Sequence, residues 1–492
     1  LTALLLVSFT LVGPTAYAQQ GPSGDAAKTD DASESPNFEA ARTQLSGQID
    51  AILRASDVTG GDVGIYVADA KTGTPLYARN ADQPLNPASN MKLITSASAL
   101  DRFGPQHTFT TRVLGDDVDD GVVGGSLYVR GQGEAFLLFE DFIDWAAQLE
   151  QKGITKVEGD IVVDDDVFDG AYLPPGFEQK DEDASYRSPI GAVSVNFNAV
   201  TAVITPADKA GERPNVRLVP PNEHVEVVNR ASTRNGGRRR LMVASKTTEN
   251  GTKLVIDGYT GTRSSPQYVR KRIDNPPVFA GSVFKEALDM VGIEVAGAVT
   301  TGDTPESAET LVSHRSQPLS YVILAMNKWS NNFMAEQLLR VQGAEGDTPS
   351  TWEAAKKSVN AFLVEEVGFA PGSFNVHNGS GLYSGNEVSA KQFVQLLRYM
   401  DEHPNAPEFK ASLTIGGVDG TLRNRLEDPS VKGRVRGKTG TLNEVSALSG
   451  YARTASGRVV AFSILFDETP RRGWLYRPEQ DRIVEAIVGL NL

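Results

Sequence analysis

The chain has 492 residues, 40% of them hydrophobic and 22% charged, a composition of soluble globular proteins at a length that suits two or three domains. A formal net charge of −14 argues against bulk nucleic-acid binding, and the absence of cysteine excludes disulfides and thiolate chemistry. The five histidines (His107, His224, His314, His377, His403) are scattered without metal-ligand spacing, so no metal site is expected.

Residues Leu1 to Gly13 are almost all apolar, and Ala16-Tyr17-Ala18 offers a small-x-small cleavage site. This pattern predicts a secretory signal peptide over residues 1–18, too short for a transmembrane helix. The mature chain is therefore expected to be periplasmic or secreted, without a transmembrane anchor. Residues 19–37, rich in Gly, Ser, Asp, Ala and Pro, are expected to be a disordered leader. An amphipathic helix follows from about Phe38 to Ser56. Two apolar runs, 62–69 and 75–79, flank the polar link Lys71-Thr72-Gly73-Thr74 and predict a β-hairpin. After Pro84 to Pro87, a helix is predicted from about Ala88 to Phe103, closed by Gly104.

From about 105 to 275 the pattern changes to many short strand-like runs, interrupted by a helix near Glu140 to Gln151. The basic residues Arg234 and Arg238-Arg239-Arg240 in this stretch read as a solvated loop, with contact to anionic polymers as the alternative. Helical patterning returns after Pro277, with candidates at Ser282–Val291, Leu319–Val341, Thr351–Val367 and Ser389–Glu402. The end reads as sheet, at Val431–Val435, Glu444–Tyr451 and Arg458–Phe466, with a closing helix at Glu479–Leu490. A sheet with an N-terminal hairpin and C-terminal remaining strands implies an α/β (α+β) core built from 38–104 and 276–492. The β-rich stretch 105–275 interrupts it as one or two nested domains.

Three short motifs carry chemistry. Ser89-Asn90-Met91-Lys92 opens a predicted helix, where side chains three residues apart share a face. A neutral lysine there can take the proton of a serine nucleophile, provided burial or a nearby cation lowers its pKa. Ser330-Asn331-Asn332 puts three polar residues in a row within an otherwise amphipathic pattern, a local break that marks solvent exposure or a site. Lys438-Thr439-Gly440-Thr441 sets a cation and two hydroxyls beside a glycine, which suits a terminal carboxylate and lets a substrate backbone lie close. Each motif has a double: Ser282-Val-Phe-Lys285 repeats the first, Ser-x-Asn recurs at Ser194 and elsewhere, and Lys71 to Thr74 repeats the third. The order Ser89, Ser330, Lys438 is what selects among the copies; it is the arrangement of penicillin-recognising serine acyltransferases. No Gly-x-Ser-x-Gly elbow is present, so a lipase-type triad is unsupported.

With Asn86-Pro-Ala-Ser-Asn-Met-Lys92, Met326-Asn-Lys-Trp-Ser-Asn-Asn332, Gly379-Ser-Gly-Leu382 and Gly416-Gly-Val-Asp-Gly-Thr-Leu422, the chain resembles the penicillin-binding protein 4 family of D-alanyl-D-alanine carboxypeptidases and endopeptidases from about residue 40 onward. It departs from the family pattern at Asn378, where Asp is usual, and at Glu134-Ala135, where Asp-Pro is common. The resemblance implies a β-lactamase/transpeptidase-like domain, an antiparallel sheet flanked by helices, acting on peptidoglycan stem peptides and acylated by β-lactam antibiotics. It implies Ser89 as nucleophile, Lys92 as base and Ser330 as proton relay, with Lys92 kept neutral by the nearby Lys438. Asn332, Lys438, Thr439, Gly440 and Thr441 would bind substrate, and no cofactor is needed. A β-lactamase or esterase of the same fold, and a non-catalytic wall-binding module, are the alternatives.

Overall fold

The computed structural model describes residues 36–248, 251–346 and 348–492. The expected signal peptide and nearly all of the leader lie outside the described residues.

The N-terminal hairpin and the C-terminal strands join in a six-stranded sheet. Its order is Pro75–Arg79, Asp62–Asp69, Val459–Asp467, Ser446–Arg453, Val435–Thr441 and Thr414–Ile415, and every pairing is antiparallel. The central strands are buried on both faces because helices cover both. Side chains alternate with period two. Phe462, Ile464 and Phe466 meet the helices Pro36–Arg54 and Arg477–Val488 on one side, while Ala461 and Leu465 meet Met91–Phe103 and Ala390–Glu402 on the other. Full burial of each large apolar side chain contributes about 1.5–3 kcal/mol.

The inserted region has its own core. A five-stranded sheet runs Val299–Thr301, Ile161–Asp164, Leu127–Arg130, Thr110–Gly115 and Glu309–Arg315. Nested within it, residues 199–272 form a three-stranded and a four-stranded sheet, and one apolar cluster runs through both parts. The insert does not end at residue 275 as a packing unit. Helix Pro276–Met290 buries Phe279, Val283 and Phe284 in this cluster, with Phe284 edge-on to Phe142 and Trp145 at 5.8 and 6.1 Å. The two crossings into the insert are tied together, since Ser316 N–H donates to Phe109 O and Phe109 N–H to Ser316 Oγ, both at 2.9 Å.

Two expected elements differ in detail. The helix predicted over Leu319–Val341 is two helices, Leu319–Trp329 and Asn332–Val341. Ser330 adopts a left-handed φ of 56°, and the Asn331 side chain accepts from Met334 N–H at 3.0 Å, capping the second helix. The strand expected at Val431–Val435 starts only at Val435, because Val431 and Lys432 turn back to donate to Asp428 O at 2.9 and 2.8 Å.

Candidate active site

Ser89 lies in a single 3₁₀ turn, Ala88–Asn90, that runs into the helix Met91–Phe103. Asn90 ties this turn to the sheet by donating to Ser449 Oγ at 2.7 Å, and Ser449 donates to Ser463 Oγ at 2.8 Å. Ala88 takes a positive φ of 45°, and Gly381 explains how that backbone is accommodated. A Cβ on Gly381 would fall 1.7 Å from Ala88 O, and its own φ is +75°, so only glycine fits.

Lys92 is fully buried. Its amine donates to Ser89 Oγ at 3.0 Å, to Asn332 Oδ1 at 2.8 Å and to Ser380 O at 2.7 Å. Burial pushes its pKa down to about 7, opposed by the nearby Glu336 carboxylate. The sequence reading attributed a neutral Lys92 to Lys438; burial is the leading cause, and the repulsion between the two amines disfavours charge on both. Lys438 is also fully buried, and desolvation followed by the Lys92 charge lowers its pKa well below the ordinary lysine value. Its amine donates to Ser330 Oγ and to Thr439 O, both at 2.8 Å. The left-handed turn between the two helices is what aims Ser330 at Lys438, and the second helix begins with Asn332 facing Lys92.

The strand Val435–Thr441 lies against the Ser89 turn, so close that a Cβ on Gly440 would sit 2.7 Å from Pro87 O. Thr439 Oγ1 donates to Thr421 Oγ1 at 2.8 Å, and Thr441 Oγ1 accepts from Arg477 at 3.3 Å. Ser89, Ser330, Thr439 and Thr441 line a cleft of about 1410 Å³, while the two lysine amines sit beneath its floor. All eight residues singled out from sequence are thus in one place: Ser89, Lys92, Ser330, Asn332, Lys438, Thr439, Gly440 and Thr441. The doubles are elsewhere. Ser282 Oγ accepts from the N–H groups of Glu223 and His224 at 2.9 and 3.1 Å, inside the insert. Lys71 to Thr74 form the hairpin turn, where Asp69 Oδ1 accepts from Lys71 and Thr72 N–H at 3.1 and 2.8 Å. The basic residues Arg234 and Arg238 to Arg240 are exposed, Arg234 stacking over Tyr259 at 4.1 Å.

Two groups near the reacting atoms escaped the sequence reading. Glu336 is fully buried and accepts from Gly379 and Ser380 N–H at 3.0 and 2.8 Å, holding the loop whose Ser380 carbonyl receives Lys92. Burial raises its pKa against those hydrogen bonds. Its one available signal was its place four residues after Asn332, an acid on an apolar helix face. The second group is the backbone of Tyr186, whose carbonyl accepts from Asn332 Nδ2 at 3.2 Å, bringing the insert to the rim of the site. No sequence spacing encodes that long-range contact. Among the described residues there is no cluster of ligands able to hold a metal.

A solved structure of penicillin binding protein 4 from Haemophilus influenzae matches this fold with a TM-score of 0.74 at 23% identity, covering 92% of this chain and 98% of that one. The same protein complexed with a β-lactam matches with a TM-score of 0.72 at 22% identity, covering 89% of this chain and 98% of that one. A D-alanyl-D-alanine carboxypeptidase from Actinomadura sp. (strain R39) is 36% identical over 439 residues, 86% of this chain and 81% of the relative. Residues 45–487 match the D-Ala-D-Ala carboxypeptidase 3 (S13) family, and the chain belongs to that family.

Proposed function

We propose that the protein is a serine D-alanyl-D-alanine peptidase of peptidoglycan, working through an acyl-enzyme on Ser89. The observation that carries this reading is the buried Lys92 amine 3.0 Å from Ser89 Oγ, with a pKa brought down to about 7. An amine so placed takes the serine proton near neutral pH as Oγ attacks the carbonyl of the D-Ala–D-X bond. The backbone N–H groups of Ser89 and Thr441 are the proposed oxyanion donors, each worth about 3 kcal/mol in comparable sites. The C–N bond then breaks, and Ser330, bonded to Lys438, relays a proton to the leaving amine. Asn332 holds the substrate amide, and Thr439 and Thr441 receive the terminal carboxylate. Water cleaves the ester and restores Ser89.

Both trimming of a terminal D-residue and cutting of a cross-link fit this chemistry, because each breaks an amide on the carbonyl side of D-Ala. β-Lactams enter as inhibitors by acylating the same oxygen, in line with the β-lactam complex of the H. influenzae relative. The place of action is outside the cytoplasm, periplasmic or secreted. The signal-like segment supports this, and among the described residues no helix is long and apolar enough to cross a membrane. The test is to incubate the protein with benzylpenicillin and with a D-Ala-D-Ala peptide. Mass spectrometry should place a penicilloyl adduct on the peptide containing Ser89, and D-Ala should be released from the peptide. An adduct on any other serine sinks the mechanism, and penicillin hydrolysis faster than peptide hydrolysis favours a β-lactamase instead.

A further inference from the structure

Arg477 opens the C-terminal helix, and its guanidinium reaches back to donate to Thr441 Oγ1 at 3.3 Å. A cation in the first turn faces the positive end of the helix macrodipole, an unfavourable placement. Glu479 lies in the same first turn and Asp481 one turn on, but neither is within ion-pair distance of the Arg477 guanidinium. Asp481 is taken by Arg425, whose Nε and Nη2 reach its oxygens at 2.7 to 3.2 Å. Among the described residues Arg477 makes no salt bridge, and desolvation, then the neighbouring Arg425, lowers its pKa from the ordinary arginine value against the attraction of Asp481.

The position of Arg477 is set by the segment before it. Gly473 N–H donates to Asn443 O at 2.7 Å and Thr469 N–H to Glu444 O at 3.0 Å, which pins that segment on the turn leaving the strand Val435–Thr441. Arg425 also donates to Arg477 O at 3.2 Å. Arg477 therefore lines the same cleft as Ser89, Thr439 and Thr441.

A carboxylate bound at these threonines needs a positive charge nearby, and Lys438 is poorly suited to supply it. Its amine is buried and committed to Ser330 Oγ and Thr439 O. Arg477, by contrast, stays charged and offers a planar fork that matches a carboxylate. We propose that Arg477 supplies the charge that recognises the terminal carboxylate of the leaving D-residue beside Thr441, making it a specificity-determining residue of the reaction proposed above.

The experiment compares wild type, R477A and R477K on a D-Ala-D-Ala peptide and on the same peptide with a C-terminal amide. For R477A the expected result is a raised KM for the carboxylate peptide and a carboxylate-to-amide ratio of kcat/KM lower by about tenfold or more. R477K should recover part of that ratio, since it keeps the charge and loses the fork. Where amide turnover is too slow, acylation by benzylpenicillin against its methyl ester gives the same ratio. An unchanged ratio in R477A, whatever the absolute rates, overturns this inference alone. A wild type that neither cleaves nor is acylated overturns the parent reading and this inference with it.

Discussion

Ser89–Lys92 and Ser282–Lys285 share one spacing and have opposite fates. In the first, the serine precedes the helix in a turn and the lysine amine is sealed under the cleft, bonded to Ser89, Asn332 and Ser380. In the second, the serine sits inside the helix Pro276–Met290 and accepts two backbone N–H groups, while Lys285 reaches Gly297 O at 3.2 Å. Spacing brings two side chains onto one face; burial and partners decide whether the amine becomes a base or a strut. The Ser89 copy, proposed as catalytic, is surrounded by residues 240 and 288 positions away in sequence, and the Ser282 copy by its own insert.

The largest way to break this comparison is at Ser89, the proposed nucleophile. S89A should lose acylation and peptide turnover by on the order of 10⁶-fold, measured by fluorescent-penicillin labelling and D-Ala release. Equal labelling of S89A and wild type would reverse the assignment. Next, K92M should lower the acylation rate by about 10²–10⁴-fold. The wild-type rate should rise as pH increases through about 7, where Lys92 loses its proton. The same shift has a stability sign. The folded state holds a proton on Lys92 only below about 7, while the unfolded chain keeps it up to the ordinary value of 10.5. Between these values the unfolded state binds more protons, so this group makes stability rise with pH. Denaturant titrations of K92M should show a shallower rise than wild type, the remainder coming from Lys438.

Smaller effects sharpen the comparison. S330A removes the hydroxyl that accepts from Lys438 and should cost about 1–2 kcal/mol in transition-state stabilisation, read as a five- to thirtyfold drop in kcat. Asn378 is buried and donates to Pro175 O and Leu382 O, both at 3.1 Å, while its oxygen accepts from Gly381 and Asn386. An Asp cannot make the two donations, so N378D should lose about 1–3 kcal/mol by thermal unfolding, although Asp is the residue the family pattern leads one to expect. Last, S282A should label with penicillin at the wild-type rate and lose only about 1–2 kcal/mol of stability. Impaired labelling in S282A would blur the distinction between the two copies.

Much of this protein was legible in one dimension. The hairpin, the Ser89 helix and the C-terminal strands follow from local period and turn residues, and the order of three motifs separates Ser89 and Lys438 from their doubles. These are local properties, written within a few residues of each other. What only the tertiary structure decided depends on neighbours far along the chain. It split one predicted helix at Ser330, whose left-handed turn and the Asn331 cap end one helix and start the next, and this turn carries Ser330 to Lys438, 108 residues away on a strand. It carried the insert on through Arg315, because Phe284 finds its core against Phe142 and Trp145. It also made burial the leading cause of the lowered Lys92 pKa, since desolvation is a property of everything packed around an atom and not of any spacing.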